Sequence, residues 1–262
     1  MEMKVGVFDS GIGGLTVLKS CMDAVSDVTF YYYGDNGRAP YGAKSAEEIM
    51  GYATEAMELF SSCRVNAVVL ACNTVTALCV DKLRANYSFP IIGVEPAVKT
   101  AAAHCKSALL LATPRTIESE RVRRLVAQYP SCRFTLYGAS RLAELIERKA
   151  LYGEAFSLND QLPEGRFDGV VLGCTHYVYV AKRIAAFYNR PVFYGNPGTA
   201  KRLASLLATL EEDELGIGDH SEDCRYRCQK LNKCLKITEN SLHFLGKYAS
   251  INKKVYFSKH LF

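Results

Sequence analysis

The sequence Asn66-Ala-Val-Val-Leu-Ala-Cys72-Asn-Thr74 occurs a second time, in altered form, as Asp168-Gly-Val-Val-Leu-Gly-Cys174-Thr-His176. In each copy an apolar run ends in a cysteine, and Cys174 lies 102 positions after Cys72. Three further segments repeat in the same order at offsets of 101 to 104 residues: 5–8 with 108–111, 30–34 with 134–138, and 90–96 with 191–197. Four pairs of segments at nearly one offset indicate an internal duplication.

Each repeat alternates short apolar runs with longer segments of helical spacing. The apolar runs are 4–8, 28–33, 66–71, 90–94, 107–111, 133–137, 168–172 and 191–194. Continuous apolar runs are typical of strands in a parallel sheet that is covered on both faces. The sequence therefore predicts an α/β protein with two pseudo-symmetric, doubly wound parallel-sheet lobes. We assign residues 1–96 to the first lobe, 97–205 to the second, and 206–262 to a C-terminal segment that packs back on the first lobe.

The two cysteines point to a site between the lobes. Ligands bind outside the carboxyl ends of the strands in such sheets, and Cys72 and Cys174 each follow a predicted strand and precede a predicted helix. Two lobes that face each other would present one thiol each to a shared cleft. Free N–H groups at a helix N-terminus stabilise a thiolate, so we expect lowered thiol pKa values. Thr74, Thr76 or Thr175 would cap these helices.

Two thiols on opposite sides of one carbon atom suit a specific reaction. One thiolate removes a proton from one face while the other thiol donates a proton to the opposite face, and the stereocentre inverts. An alternative interpretation is that both are buried strand-end cysteines without a chemical role, since free cysteine is among the most buried residue types. The duplication and the neighbouring Asn, Thr and His residues favour the reaction.

Two polar loops follow the first two predicted strands. Asp9-Ser10-Gly11-Ile12-Gly13-Gly14 opens a helix, so its backbone N–H groups suit an anion such as a carboxylate or a phosphate. Its glycines lack the spacing of a dinucleotide site, and it has no Walker motif. The loop 34–42 is either an ordinary turn or places Tyr41 and the Gly42 N–H over the ligand.

Composition limits the function classes. Of the 262 residues, 49% are hydrophobic and 23% are charged, which excludes a disordered chain. There is no apolar run of about 20 residues for a membrane span and no secretory signal. We therefore expect a cytoplasmic protein with reduced cysteines and no membrane partner. The net charge of +5 is concentrated in residues 221–262, so the nearly neutral body does not indicate a nucleic-acid partner.

The C-terminal segment contains a possible zinc pattern. Its cysteines and histidines are Cys224, Cys228, Cys234, His220 and His243. Zinc sites more often contain two closely spaced cysteine pairs, and only one such pair is present here. We therefore favour a basic amphipathic segment that packs on the first lobe or is poorly ordered, and we predict no metal.

The chain resembles the glutamate racemases of the cofactor-independent aspartate/glutamate racemase superfamily, from residue 4 to about residue 210. The resemblance is carried by Asp-Ser-Gly-x-Gly-Gly at 9–14, Gly-Asp-x-x-x-x-Pro-Tyr-Gly at 34–42, Ala-Cys-Asn-Thr at 71–74, Gly-Val-Glu-Pro at 93–96, the threonine-rich loop at 113–119 and Gly-Cys-Thr-His-Tyr at 173–177. Val178, Asn36 and Asn196 depart from the residues that are usual in the family.

The resemblance implies a two-base mechanism. Cys72 would take the α-proton of D-glutamate with help from Asp9, and Cys174 that of L-glutamate with help from His176. Glu147 matches a carboxylate that the family places near the second thiol. The implied substrate-binding residues are Asp9, Ser10, Tyr41, Gly42, Asn73, Thr74, Thr113, Thr116, Thr175 and His176.

The resemblance further implies that the enzyme needs no cofactor, supplies D-glutamate for peptidoglycan and forms a homodimer. Two alternatives stay open on the residues alone. One is a related racemase or isomerase that acts on aspartate or another amino-acid derivative. The other is a non-catalytic binding protein on the same scaffold.

Overall fold

The chain forms two parallel sheets, each built from one half of the sequence. The computed structural model describes residues 3–214 and 255–257. The first half contributes β1 (Met3–Asp9), α1 (Gly14–Ala24), β2 (Val28–Gly34), α2 (Ala46–Ser62), β3 (Ala67–Leu70), α3 (Asn73–Asn86) and β4 (Ile91–Gly93). The second half contributes α4 (Val98–His104), β5 (Ser107–Ala112), α5 (Pro114–Glu118), α6 (Glu120–Ala127), β6 (Arg133–Gly138), α7 (Leu142–Tyr152), β7 (Gly169–Gly173), α8 (Ala181–Tyr188) and β8 (Val192–Tyr194). They are followed by α9 (Asn196–Glu214) and β9 (Val255–Phe257).

The two sheets have the same strand order. The first sheet runs β4-β3-β1-β2 with β9 added beside β2, and the second runs β8-β7-β5-β6. The pairings within both sheets are parallel. Val5 pairs with Ala67 in the first sheet, and Ala108 pairs with Gly169 at the equivalent place in the second. The predicted pair of pseudo-symmetric, doubly wound α/β lobes is therefore confirmed.

Helices cover both faces of the first sheet, which explains its continuous apolar runs. Val68 and Leu70 of β3 pack with residues of α2 and α3, whereas Ala67 and Val69 pack with residues of α1 and α9. Successive strand residues point to opposite faces, so each face receives alternate side chains. A fully buried side chain of the size of Val or Leu contributes about 1.5–3 kcal/mol to folding.

Helix α9 returns the chain from the second sheet to the first lobe. Its residues Ala200, Leu203 and Leu207 are buried in the core that also contains residues of α1 and β1. The division into residues 1–96, 97–205 and 206–262 stays a prediction. Helix α9 continues across the predicted boundary between residues 205 and 206, and it packs on the first lobe.

Strand β9 lies at the edge of the first sheet, where Val255 pairs with Phe30 and Phe257 with Tyr32. The cysteines and histidines of the zinc alternative lie outside the described residues. Among the described helices, none has both the length and the apolar character needed to cross a membrane.

Candidate active site

The candidate site lies at the carboxyl ends of the strands. In each sheet the order of the strands reverses between the first and third strands, β1 and β3 or β5 and β7, and a crevice forms at such a point. Asp9 ends β1 and Cys72 follows β3, while Thr113 follows β5 and Cys174 follows β7. Thr74, two residues after Cys72, places its Oγ1 atom 3.1 Å from the Oγ1 atom of Thr113. The strand ends of the two lobes therefore share one space.

Cys72 is buried at the N-terminus of α3, with 5% of its surface exposed. Its sulfur lies 3.5 Å from Ser10 Oγ, and the Val75 N–H of the first turn of α3 lowers the pKa of the thiol slightly. Burial above all, together with the charge of Asp9, raises the pKa of Cys72 to about 12. The prediction of a lowered pKa is wrong for this thiol, because the loss of water around a thiolate outweighs the helix N-terminus.

Asp9 has one oxygen atom without a partner. Its Oδ2 accepts a hydrogen bond from the Gly14 N–H, whereas its buried Oδ1 has no hydrogen-bond partner in the described part of the chain. Burial raises the pKa of Asp9 to about 6, although the charge of His176 opposes this shift. Oδ1 can therefore accept a proton or bind an ammonium group, and Asp9 changes its charge near neutral pH.

Cys174 is the first of three connected side chains of the second lobe, all of them buried. Its Sγ lies 3.7 Å from His176 Nδ1, and His176 Nε2 lies 2.6 Å from Glu147 Oε1. Burial disfavours a charged imidazole, but the hydrogen bonds to Cys174 and Glu147 outweigh it and raise the pKa of His176 well above its ordinary value. The second thiol therefore lies beside an imidazole whose surroundings favour its protonated form. The three residues are brought together, and their catalytic roles stay predictions.

Three buried threonine hydroxyls meet between the lobes. Thr74 Oγ1 of α3 lies 3.1 Å from the Oγ1 atoms of both Thr113 and Thr116, which are 2.9 Å from each other. Thr76 Oγ1 instead donates a hydrogen bond to the Leu70 carbonyl. The prediction that a threonine caps α3 is therefore wrong, because both hydroxyls have partners outside the helix N-terminus.

The residues that follow the two thiols are also buried. Asn73 follows Cys72, and its side-chain oxygen has no hydrogen-bond partner within the described residues. Thr175 follows Cys174 and lies against the first glycine loop, since a Cβ at Gly13 would be 2.6 Å from Thr175 Oγ1. Both side chains therefore lie near the thiols, as the sequence places them.

The loop 34–42 is held by a buried carboxylate, Asp35. Asp35 accepts hydrogen bonds from the hydroxyl of the buried Tyr41 and from Arg38 Nε, the latter at 2.6 Å. Gly42 lies against the second lobe, where an added Cβ would be 3.2 Å from the Thr113 Cβ. Asp35 is missing from the predicted site residues. The sequence feature that could have identified Asp35 is that it precedes Arg38 by three residues and Tyr41 by six within one loop.

Two open cavities lie elsewhere. One cavity of about 490 Å³ is lined by residues of the two segments in which the chain passes from one lobe to the other, 93–97 and 192–199. The other, of about 570 Å³, lies beside β4 at the edge of the first sheet. No cysteine lines either cavity. Within residues 3–214 and 255–257, no group of three or more His, Cys, Asp or Glu side chains is arranged to hold a metal ion. The buried polar groups around the thiols therefore form the candidate site.

Known sequences identify the family. Residues 6–203 match the family described as Asp/Glu/Hydantoin racemase. The glutamate racemase of Campylobacter concisus is 37% identical over 217 residues, which cover 78% of this chain and 83% of that protein. Glutamate racemase 2 of Bacillus subtilis is 35% identical over 236 residues, with coverages of 84% and 86%.

Solved structures agree with the sequences. Escherichia coli glutamate racemase, in complex with L-glutamate and the activator UDP-MurNAc-Ala, superposes with a TM-score of 0.74 at 27% identity and coverages of 98% and 99%. Glutamate racemase from Thermus thermophilus, in complex with β-chloro-D-alanine, gives a TM-score of 0.65 at 29% identity and coverages of 80% and 82%. With the family match over residues 6–203, these similarities show that the chain belongs to the Asp/Glu/hydantoin racemase family.

Proposed function

We propose that this protein interconverts L-glutamate and D-glutamate. The observation that carries the proposal is a pair of buried strand-end thiols, Cys72 and Cys174, each beside its own acid–base group. The glutamate racemases that are 35–37% identical over 78–84% of the chain support glutamate as the substrate.

The chemistry needs one base on each face of the α-carbon. From D-glutamate, the Cys72 thiolate removes the α-proton, so a C–H bond breaks, an S–H bond forms and the electron pair stays on the substrate as a carbanion. The Cys174 thiol then donates its proton to the opposite face, which yields L-glutamate and a Cys174 thiolate. The reverse reaction exchanges the two roles.

Substrate binding supplies the charge that ionises Cys72. With a pKa of about 12, this thiol holds its proton in the ligand-free protein. An α-ammonium group bound at Asp9 Oδ1 brings a positive charge beside the sulfur, and an opposite charge within about 4–6 Å lowers a thiol pKa. The S–H bond of Cys72 then breaks and its proton passes to the solvent as the substrate enters, which leaves the thiolate. On the other side, protonated His176 stabilises the Cys174 thiolate, and Glu147 orients the imidazole.

The remaining polar groups hold the substrate carboxylates. We assign this binding role to Ser10, Tyr41, Gly42, Asn73, Thr74, Thr113, Thr116 and Thr175. Hydroxyl, amide and backbone N–H groups bind carboxylates without a competing cation beside the thiolates. Their burial excludes water, which strengthens the hydrogen bonds that the carbanion needs.

The same proposal covers the cellular setting. The enzyme works without a cofactor, and its D-glutamate serves peptidoglycan synthesis. The seven described cysteines are free, as is usual in the reducing cytoplasm, where we place the protein. We also propose a homodimer without nucleic-acid or membrane partners, and light scattering tests the dimer.

Circular dichroism of purified protein with L- or D-glutamate, without added cofactor, tests the function. The signal of either enantiomer should decay to zero as the racemic mixture forms. Parallel reactions with L- and D-aspartate test the related racemase. Decay with aspartate alone would replace glutamate as the substrate, and no decay with either would favour the non-catalytic binding protein.

A further inference from the structure

Ile12 of the first lobe is held by the second lobe through both of its backbone polar groups. Its N–H donates a hydrogen bond to Glu147 Oε1 at 2.8 Å. Its carbonyl accepts a hydrogen bond from the Tyr179 hydroxyl, also at 2.8 Å, and a longer one, at 3.1 Å, from the Leu15 N–H of the first lobe. Ile12 is buried, and both partners belong to the lobe that carries Cys174. These bonds connect the first glycine loop to the surroundings of the second thiol.

Tyr179 and His176 lie on one face of the same short helix. The 3₁₀ segment Thr175–Val180 follows Cys174 directly, and residues three apart are eclipsed in a 3₁₀ helix. His176 contacts Glu147 and Tyr179 contacts Ile12 from this face. The segment after Cys174 therefore carries two side chains that act around Glu147. His176 contacts Glu147 directly, and Tyr179 holds Ile12, which is the other partner of Glu147.

The glycine loop packs tightly on this carboxylate. A Cβ at Gly11 would collide with Glu147 Oε1, and a Cβ at Gly13 would lie 2.6 Å from His176 Nδ1. Glu147 Oε1 is the atom that meets both Ile12 N–H and His176 Nε2. Glu147 Oε2 is buried and has no hydrogen-bond partner among the described residues. The orientation of the carboxylate therefore depends on where the Ile12 N–H lies.

We propose that Tyr179 is a positioning residue for the proton transfer at Cys174. Its hydroxyl fixes the Ile12 carbonyl, the Ile12 N–H then holds Glu147, and Glu147 orients His176 toward the Cys174 thiol. This inference rests on the proposed racemisation of glutamate. Its effect falls on the half of the reaction that Cys174 serves.

Tyr179→Phe tests the proposal because it removes the hydroxyl and keeps the ring. Tyr188→Phe is the matched control, since the Tyr188 hydroxyl donates to the Pro163 carbonyl at 2.6 Å within the same lobe. We expect kcat/KM of Tyr179→Phe to fall about 3- to 10-fold, the range for one lost hydrogen bond. The fall is equal in both directions because the equilibrium constant is fixed.

Isotope effects separate positioning from a general structural loss. In Tyr179→Phe the primary isotope effect with [2-²H]-L-glutamate should rise, because proton removal by Cys174 limits the rate more strongly. The effect with [2-²H]-D-glutamate should fall, because proton removal by Cys72 limits it less. A merely structural loss lowers the amount of active enzyme and leaves both isotope effects unchanged, which would overturn the proposal.

A double variant tests the route through Glu147. In a Glu147→Gln background, Tyr179→Phe should change kcat/KM by less than about twofold, because residues that act through one contact are not additive. Full additivity in the double variant would overturn the route.

Amide hydrogen exchange of Ile12, followed by NMR in the ligand-free enzyme, needs no activity. We expect it to accelerate about 3- to 10-fold in Tyr179→Phe and to stay unchanged in Tyr188→Phe. Unchanged exchange in Tyr179→Phe would also overturn the proposal. If wild-type protein racemises no glutamate, the proposed function fails instead, and exchange alone decides whether Tyr179 fixes Ile12.

Discussion

The two thiols hold equivalent places in sheets of the same strand order, yet the charges around them differ. Cys72, with a pKa raised to about 12 by burial, lies beside the carboxyl of Asp9. Cys174 lies beside His176, whose hydrogen bonds to Cys174 and Glu147 raise its pKa and favour the protonated imidazole. The repeated fold therefore fixes where the thiols lie, while their neighbours give each thiol a different electrostatic environment.

The difference begins one residue after each thiol. Cys72 is followed by α3, a 14-residue α-helix, whereas Cys174 is followed by the 3₁₀ segment Thr175–Val180. In the α-helix, the Val75 N–H lowers the pKa of Cys72 by less than burial raises it. The 3₁₀ segment brings His176 within 3.7 Å of the Cys174 sulfur. Local backbone geometry thus places an imidazole beside Cys174, whereas Cys72 has only a backbone N–H that weakly favours the thiolate.

Removal of either thiol should have the largest effect. Cys72→Ser and Cys174→Ser should each lower racemisation by about 10³-fold or more, because the serine hydroxyl is too weak an acid to replace the thiolate as a base. In D₂O, Cys174→Ser should still exchange the α-proton of D-glutamate, and Cys72→Ser that of L-glutamate. Proton NMR measures this exchange.

Cys79→Ser is the matched control, because Cys79 is a buried thiol of α3 in the core of the first lobe. It should retain racemisation. Near wild-type racemisation by either site variant would defeat the two-base mechanism. Exchange of both enantiomers by one variant would show that the thiols do not divide the two faces between them.

The next largest loss of activity is expected when the acid–base partner of either thiol is replaced. His176→Asn and Asp9→Asn should each lower kcat about 10²- to 10⁴-fold, the usual contribution of an acid–base group. The primary isotope effect should rise with [2-²H]-L-glutamate for His176→Asn and with [2-²H]-D-glutamate for Asp9→Asn. His104→Asn, at an exposed histidine, should change neither. Equal isotope effects in both site variants would contradict the division of labour.

The fold was predictable because its signals are local and occur twice. The apolar run 66–71 contains β3, and the run 168–172 covers all but the last residue of β7. Both runs are continuous because a parallel strand that is buried on both faces has no solvent-facing side. The near-constant offset between the repeats indicates that both lobes have one topology. The parallel strand order then places Cys72 and Cys174 at carboxyl ends.

The site was predictable only in part, because its energetics depend on distant residues. The hydroxyl of Thr74 meets that of Thr113, 39 residues away, and no local pattern records this contact. The pKa of Cys72 depends above all on burial, which residues distant in the sequence supply. Tyr179 reaches Ile12 across 167 residues. Such contacts appear only once the two lobes face each other.

A smaller effect, on the free energy of unfolding, tests the charge of Asp9 beside Cys72. Burial raises the pKa of Asp9 from 3.8 to about 6, so the folded protein binds this proton more readily than the unfolded chain. Above pH 6 the buried charge lowers the free energy of unfolding, and this cost disappears as the pH falls through about 6 toward 4. Asp9→Asn should therefore raise the free energy of unfolding by about 1–3 kcal/mol at pH 7 and leave it unchanged at pH 4.

Urea titrations at both pH values measure this difference. Asp23→Asn is the control, because Asp23 is an exposed carboxylate paired with Lys19. Wild-type activity should also fall as the pH drops below about 6, where Asp9 becomes neutral. A gain in stability that is the same at pH 4 and pH 7 would show that the charge of Asp9 is not its cause.

The smallest effect on activity is expected where the two sheets differ in strand number. The first sheet has β9 beside β2, and the described part of the second sheet has no such strand. Deletion of residues 221–262 removes β9 and makes the sheets alike. Because every predicted site residue lies within 9–176, kcat and KM should stay within about twofold. Loss of the strand pairs should lower Tm by about 2–8 °C in calorimetry.

Cys228→Ser in the full chain separates this edge strand from a metal site. A zinc role predicts one equivalent of zinc in the purified protein, unfolding by a chelator, and loss of metal and activity together in Cys228→Ser. We expect no bound metal, no chelator effect and full activity in this variant. Bound zinc that disappears with activity in both Cys228→Ser and the deletion would make residues 221–262 a functional module. The difference between the two lobes would then extend from the sheet edge to the chemistry.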